Sequence, residues 1–255
     1  MPGEAEHLSS VHNAIRILQE FSDDRPEFGI SELSARLGLA KSTVYRLLHT
    51  LTEMRLIDQD ARSHKYRLGL GLFVIGSIPY RRMELRVKAF PLLIDLMNRV
   101  RRVVRLAVYD QGAVVYLCKL PEDKETTMFS SIGKRVPCHS TAVGKLLLAY
   151  QDEQEIERVL RRPLKAYTRG TIVDADKIRA QLQAVRKDGF ATTYEESTKG
   201  ICSVAVPVTA EGGRVLAALS VTGSKSEFLP IQVREYVREM RMYSRLITEQ
   251  LDCVE

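Results

Sequence analysis

The chain has 255 residues, 45% of them hydrophobic and 27% charged, with 38 Lys+Arg against 32 Asp+Glu. That hydrophobic share excludes a disordered chain, and no run approaches the roughly 18 apolar residues of a membrane span. Cys118, Cys138, Cys202 and Cys253 stand singly with no CxxC pair, which excludes a disulfide framework or zinc ribbon, and MPGEAEHLSS lacks the apolar core of a secretory signal.

A cytoplasmic two-domain protein, with no cofactor, no metal and no membrane partner, is therefore expected. The excess positive charge is local. Residues 1–80 hold 9 Lys/Arg against 10 Asp/Glu, residues 81–105 hold 8 against 2, and residues 106–255 hold 21 against 20. The stretch 81–105 reads either as a solvated helix face beside a linker or as a basic helix near a phosphate backbone.

Val11, Ala14, Ile15 and Leu18 fall at helical spacing, which predicts a first helix over about 10–21 with Ser10 as a candidate N-cap. Asp23, Asp24 and Pro26 end it. A short second helix, capped by Ser31, places Ile30, Leu33 and Leu37 inward and stops at Gly38, a residue that tolerates the left-handed turn. A third begins near Ser42 with Val44, Leu47, Leu48 and Leu51 as its apolar stripe. Small Ser34 before the glycine and Val44 after it permit a close crossing of the two helices, as in a helix-turn-helix.

With that stripe inward, Lys41, Ser42, Thr43, Tyr45, Arg46 and His49 face outward. This end of a recognition helix meets DNA: Arg46 suits a guanine edge, and Lys41, Ser42 and Thr43 suit phosphates. A polar solvent face would show similar residues. Two short strands, Leu56–Gln59 and His64–Leu68, follow around Asp60–Ser63. Arg62, Lys65 and Arg67 make this hairpin a basic wing.

Met83–Val100 has helical spacing with an expected kink or break at Pro91. Strand-like runs follow at 106–109, 114–119 and 126–131, then an apolar helix over 142–150 after Pro137-Cys138-His139-Ser140-Thr141. Asp174 caps a helix over 175–188 that ends at Gly189. Strands 201–208 and 215–222 flank Gly212-Gly213, and a last helix spans about 231–251. Strands interleaved with helices, several in hairpins, predict an α+β domain with an antiparallel sheet.

A loop centred on Glu211-Gly212 would set Ser203 opposite Ser220. Alternation then puts Ser203, Ser220 and Thr222 on one face and a small apolar set, including Val204, Val206, Leu219 and Val221, on the other. Three hydroxyls amid small side chains suit the floor of a polar pocket, or a half-solvated sheet face.

The segments LAKSTVYRLLHTL and YRLGLGLFVIG, followed in order by VPCHSTAVGKLLLA, DGFATTYEES, GICSVAVPV and LAALSVTG, resemble the IclR-type bacterial transcriptional regulators over nearly the whole chain. The resemblance implies a winged helix-turn-helix over 1–80, a linker helix over 81–100 and a GAF-like effector-binding domain over 101–255. It implies homodimers through the N-terminal domains, often paired into tetramers, bound to a pseudo-palindromic double-stranded DNA operator. It also implies that a small carboxylic acid is held at Ser203, Ser220 and Thr222 and by the backbone N–H groups of Ala142 and Val143. Met128, Phe129 and Ile132 are candidates for the apolar side of that pocket or for core.

Two departures caution against copying a relative's effector. Thr193 stands where some relatives place an acidic residue, and Arg101, Arg102 and Arg105 make the approach to the first strand more basic. No nucleophile elbow, HExxH or P-loop occurs, and His139 beside Cys138 reads as structural, so an enzyme is not expected. Two alternatives to a metabolite-controlled regulator remain at this point: a winged-helix protein-interaction module without an effector, and a GAF-like enzyme fused to a DNA-binding head.

Overall fold

The computed structural model describes residues 9–121 and 132–252, and the backbone divides after Arg82 into two units. In the first, α1 (Ser9–Glu20), β1 (Glu27–Phe28), α2 (Ile30–Leu37), α3 (Lys41–Glu53), β2 (Ile57–Gln59), β3 (Tyr66–Leu68) and α4 (Leu70–Arg82) succeed one another. The turn between α2 and α3 rests on Gly38, whose φ of 67° is left-handed and whose amide donates to the Ser34 carbonyl. The Ser34 hydroxyl donates to the Leu39 carbonyl at 2.6 Å, which ties the small residue to the turn. Ile17, Phe28, Leu33, Val44, Leu48 and Ile57 form a core with no solvent exposure.

Several sequence expectations need correction here. Ser10 lies inside α1 and caps nothing, because the helix already includes Ser9. Gly29, without a side-chain bond, is the N-cap of α2 in place of Ser31. Of the expected α1 stripe, Ala14 and Leu18 pack against the core, whereas Val11 and Ile15 are about half exposed and Ile17, outside the stripe, is fully buried, because the face that meets α2 and α3 is centred between Ala14, Ile17 and Leu18. The hairpin gains a third strand, since β1 pairs antiparallel with β3 to give the order β1-β3-β2. Helix α4 has no sequence precursor: in LGLFVIGSIPYRR the first turns are apolar and the charge is confined to the last, so no polar face alternates with an apolar one to mark a helix.

The second unit contains α5 (Glu84–Val100), β4 (Val103–Asp110), β5 (Ala113–Leu120), β6 (Arg135–Pro137), α6 (Ala142–Ala149), α7 (Glu153–Leu160), α8 (Ala175–Asp188), β7 (Ala191–Tyr194), β8 (Ile201–Thr209), β9 (Val215–Ser224) and α9 (Pro230–Asp252). Its sheet runs β6-β5-β4-β9-β8-β7 with every neighbouring pair antiparallel. One face, with Leu106, Val204, Val206, Leu219 and Val221, buries α5 and α9. The opposite face, with Ala107, Ala205 and Ala218, lies in a second core with α6, α7 and α8. Both faces are thus covered, and the alanines leave room for a helix to approach closely.

Asp152 and Asp174 cap α7 and α8, each accepting a backbone N–H three residues on, and Gly189 closes α8 in the left-handed conformation. Each such cap contributes about 1 kcal/mol. Helix α5 runs unbroken through Pro91. Burial of Ala89, Leu93 and Leu96 against the sheet offsets the roughly 3 kcal/mol that an interior proline costs. The run expected as a strand over 126–131 lies outside the described residues.

Candidate functional site

Helix α3 is fixed by the burial of Val44, Leu48 and Leu51, and its opposite surface presents Lys41, Ser42, Thr43, Tyr45, Arg46 and His49, all exposed. Tyr45 and His49 stand one helical turn apart with ring centres 6.1 Å from each other, and His49 lies 3.6 Å from Glu53. Arg62 and Lys65 are exposed beside the β2–β3 turn. That turn is held by Asp60, whose carboxylate accepts the N–H groups of Arg62 at 3.0 Å and Ser63 at 2.7 Å. These bonds, that of Ser63 first, hold the Asp60 carboxyl below its ordinary value. Lys41, Arg46, Arg62 and Lys65 form no salt bridge among the described residues, so their charge is available to an anion.

Part of the basic stretch 81–105 is engaged within the second unit. Lys88 pairs with Glu84 at 2.6 Å, Arg99 with Glu239 at 2.5 Å and Arg102 with Glu227 at 2.8 Å, while Arg105 is buried.

In the second unit the β8–β9 register differs from the expected one. It lies two residues from the expected one, a bulge at Val208/Thr209 accounting for one of them, so Ser203 lies opposite Thr222, and Ser220 opposite Ala205. A two-residue shift preserves the facing of every side chain, and Ser203, Ser220 and Thr222 do share a face. The cross-strand rows read Val103–Thr222–Ser203–Thr193 and Arg105–Ser220–Ala205–Ala191. Ser203 Oγ is 2.8 Å from Thr222 Oγ1, and Thr193, Ser220 and Thr222 are buried.

Arg105 is the member of this face that alternation within the C-terminal hairpin does not reveal. It comes from β4, and only the β4–β9 pairing brings it beside the hydroxyls. Its Nη1 donates to Thr222 Oγ1 at 2.6 Å, and its guanidinium sits 5.7 Å from the centre of the Tyr116 ring. Burial pulls the Arg105 guanidinium below its ordinary value and pushes the Tyr116 phenol up.

Ala142 and Val143 are the first residues of α6, which packs against this face. Thr141 caps the helix by accepting the Gly144 N–H at 3.1 Å, and the first helical bond runs from the Lys145 N–H to the Thr141 carbonyl. Lys145, itself buried, places its ammonium 2.6 Å from both carboxylate oxygens of Glu196. Glu195 binds Lys225 instead, at 2.6 Å. Met128 and Phe129 lie outside the described residues, and Ile132 is 43% exposed.

Cys138 and His139 do not form a nucleophile–base pair. Burial pushes the Cys138 thiol up to about 12, and its sulfur faces the Gly112 carbonyl at 3.5 Å. His139 Nε2 lies 3.0 Å from the Lys165 carbonyl, so it donates there, and burial lowers the pKa of the ring. Among the described residues no cluster of His, Cys, Asp and Glu has metal-holding geometry, and no helix is long and apolar enough to cross a membrane.

Two family models match: an IclR helix-turn-helix domain over residues 10–61 and a bacterial transcriptional regulator IclR C-terminal domain over residues 80–249. The chain is 34% identical over 249 residues to the HTH-type transcriptional regulator KdgR of Dickeya chrysanthemi, covering 97% of this chain and 81% of that one. It is 33% identical to KdgR of Escherichia coli, covering 97% and 94%. Among solved structures, an IclR transcriptional regulator from Alicyclobacillus acidocaldarius superposes with a TM-score of 0.82 at 28% identity, covering 96% and 99%. An IclR homologue from Microbacterium hydrocarbonoxydans complexed with 4-hydroxybenzoate superposes at 0.79 and 26% identity, covering 95% and 98%.

Proposed function

Because the chain belongs to the IclR family of bacterial transcriptional regulators, which bind DNA and are not enzymes, we propose that a small organic acid bound in its second unit controls its operator binding. The observation that carries this reading is the row of hydroxyls Thr193, Ser203 and Thr222, with Ser220 and Arg105 in the next row, on a sheet face that also carries Ala107, Ala191, Ala205 and Ala218. Such a face offers several donors and acceptors to one polar ligand. The first amides of a helix, here Ala142 and Val143 of α6, suit an anion. Met128 completes the set we assign to the effector. The relative with bound 4-hydroxybenzoate supports a carboxylate.

We assign Lys41, Ser42, Thr43, Tyr45, Arg46 and His49 of α3 to the major groove, with Arg46 on a base edge, and Arg62 and Lys65 to the flanking backbone. The unit up to about residue 80 is the DNA-binding domain, 81–100 the connector and 101–255 the effector domain. The protein acts in the cytoplasm as a homodimer on a pseudo-palindromic operator, with tetramers as the further assembly. In support, α4 leaves Leu70 and Phe73 at least 70% exposed and Val74 and Ile75 more than half exposed, a helix that a second copy would cover. Ligand binding changes DNA affinity only if one arrangement of the heads holds the acid better than the other.

The test is a thermal-shift screen of metabolite acids on the full chain, repeated on Ser203→Ala/Ser220→Ala. An acid that stabilises the wild type and releases DNA should lose its stabilisation in the double variant. An unchanged shift there places the ligand elsewhere.

A further inference from the structure

We propose that Arg105 is the effector-specificity residue of this regulator, a preformed cationic seat whose partner is the carboxylate of an oxygen-rich organic acid. The inference rests on the effector reading above and assigns the charge within it.

Arg105 is only 7% exposed, yet no carboxylate pairs with it among the described residues. Its one hydrogen-bond acceptor there is the neutral Thr222 hydroxyl, and its Nε is buried with no partner. The Tyr116 ring steadies the guanidinium without neutralising it. A guanidinium has five donors in a planar fork that matches a carboxylate edge, and a buried ion left unpaired is strongly unfavourable.

Contrast within the same unit sharpens the point. Another deeply buried cation, Lys145, has both oxygens of Glu196 at 2.6 Å. Arg105 instead stands among hydroxyls, with Ser220 directly across the strand and the linked Ser203–Thr222 pair beside it. Hydroxyls can both donate and accept, so they suit the hydroxyl or keto oxygens of a ligand whose carboxylate occupies the guanidinium. Ser140 Oγ, just before the cap of α6, is likewise buried without a hydrogen-bond partner among the described residues. The geometry selects an oxygenated carboxylate over its neutral analogue, because the neutral one leaves the buried charge uncompensated.

The full chain would be titrated by calorimetry and thermal shift with matched acid and amide pairs: lactate and lactamide, gluconate and gluconamide, 4-hydroxybenzoate and 4-hydroxybenzamide. At least one acid should bind, and its amide should bind roughly 100-fold more weakly. Arg105→Met should lose the acid-over-amide preference. It should also melt higher than the wild type without ligand, since it removes an uncompensated charge; a merely structural arginine would give a lower melting temperature.

An Arg105→Met chain that keeps the preference, melts lower or fails to fold overturns the inference. So does an unliganded melting temperature that drops in Glu122→Gln/Asp123→Asn/Glu125→Gln, which would make an internal carboxylate the partner. An amide that binds as well as its acid overturns it with no variant needed. If no acid binds at all while operator DNA is still bound, the organic-acid reading fails as well. Acid binding lost in Ser203→Ala/Ser220→Ala but retained in Arg105→Met leaves that reading standing and removes Arg105 from it.

Discussion

Arg46 is exposed on α3 and has no internal ion pair among the described residues, so its removal should leave the fold unchanged. Arg46→Ala is expected to weaken operator binding by about 1–3 kcal/mol and to relax selectivity at one base position, read by competition against single-base operator variants. Unaltered selectivity would remove Arg46 from base recognition.

His139 gives a pH prediction at the same scale. Burial lowers its folded pKa below the ordinary 6.5, and its Nε2 proton is committed to the Lys165 carbonyl. Below 6.5 the unfolded chain therefore binds a proton that the folded chain refuses, so this residue's effect is to lower stability as pH falls from there toward the folded pKa. His139→Gln should show a shallower loss of melting temperature than the wild type between about pH 7 and 5. Parallel curves would show that His139 does not contribute to acid sensitivity.

At the scale of the element, two glycines are required for different reasons, and their alanine variants should separate them. Gly38 sits at φ 67° in open space, so Gly38→Ala meets backbone strain alone, about 1 kcal/mol. Gly144 is in α6, and a methyl there would lie 2.5 Å from both the Cα and the carbonyl oxygen of Cys138. Overpacking of this kind costs about 1–3 kcal/mol and would shift the start of α6, so Gly144→Ala should also weaken any acid response. Urea denaturation of each variant measures the first effect and ligand titration the second; an unimpaired acid response in Gly144→Ala would detach α6 from the site.

The elements also differ in how legible they are in the sequence. Helix α8 is readable to its ends because Asp174 and Gly189 are local signals that act through the backbone of their own turns. Helix α7 carries signals as local, with Asp152 as its cap and Ile156, Val159 and Leu160 at helical spacing, whereas the four residues of β7 are too few to show alternation. The bulge at Val208/Thr209 escapes a sequence reading because a loop's residues do not fix which partner a strand residue meets.

For the whole molecule, the location of charge matters more than its sum. The formal excess of +6 lies in 81–105, yet several of those residues are paired or buried within the second unit. DNA affinity should therefore come from a few side chains on α3 and the hairpin. Lys65→Ala should weaken binding to all sequences alike and reduce the salt slope of log K by about 1, the share of a single neutralised phosphate. An unchanged slope would take the hairpin off the backbone.

The helix-turn-helix, the hairpin, helices α5, α6, α8 and α9, strands β4, β5, β8 and β9 and the shared face of Ser203, Ser220 and Thr222 are all legible in the sequence. Each of these depends on local periodicity or on turn chemistry, which neighbouring residues carry. Strand pairing, and with it the burial of Arg105 beside those hydroxyls, emerges only in the assembled sheet. Residues 105 and 222 are far apart along the chain but bonded across the sheet, and no local pattern encodes a pairing made by strand order.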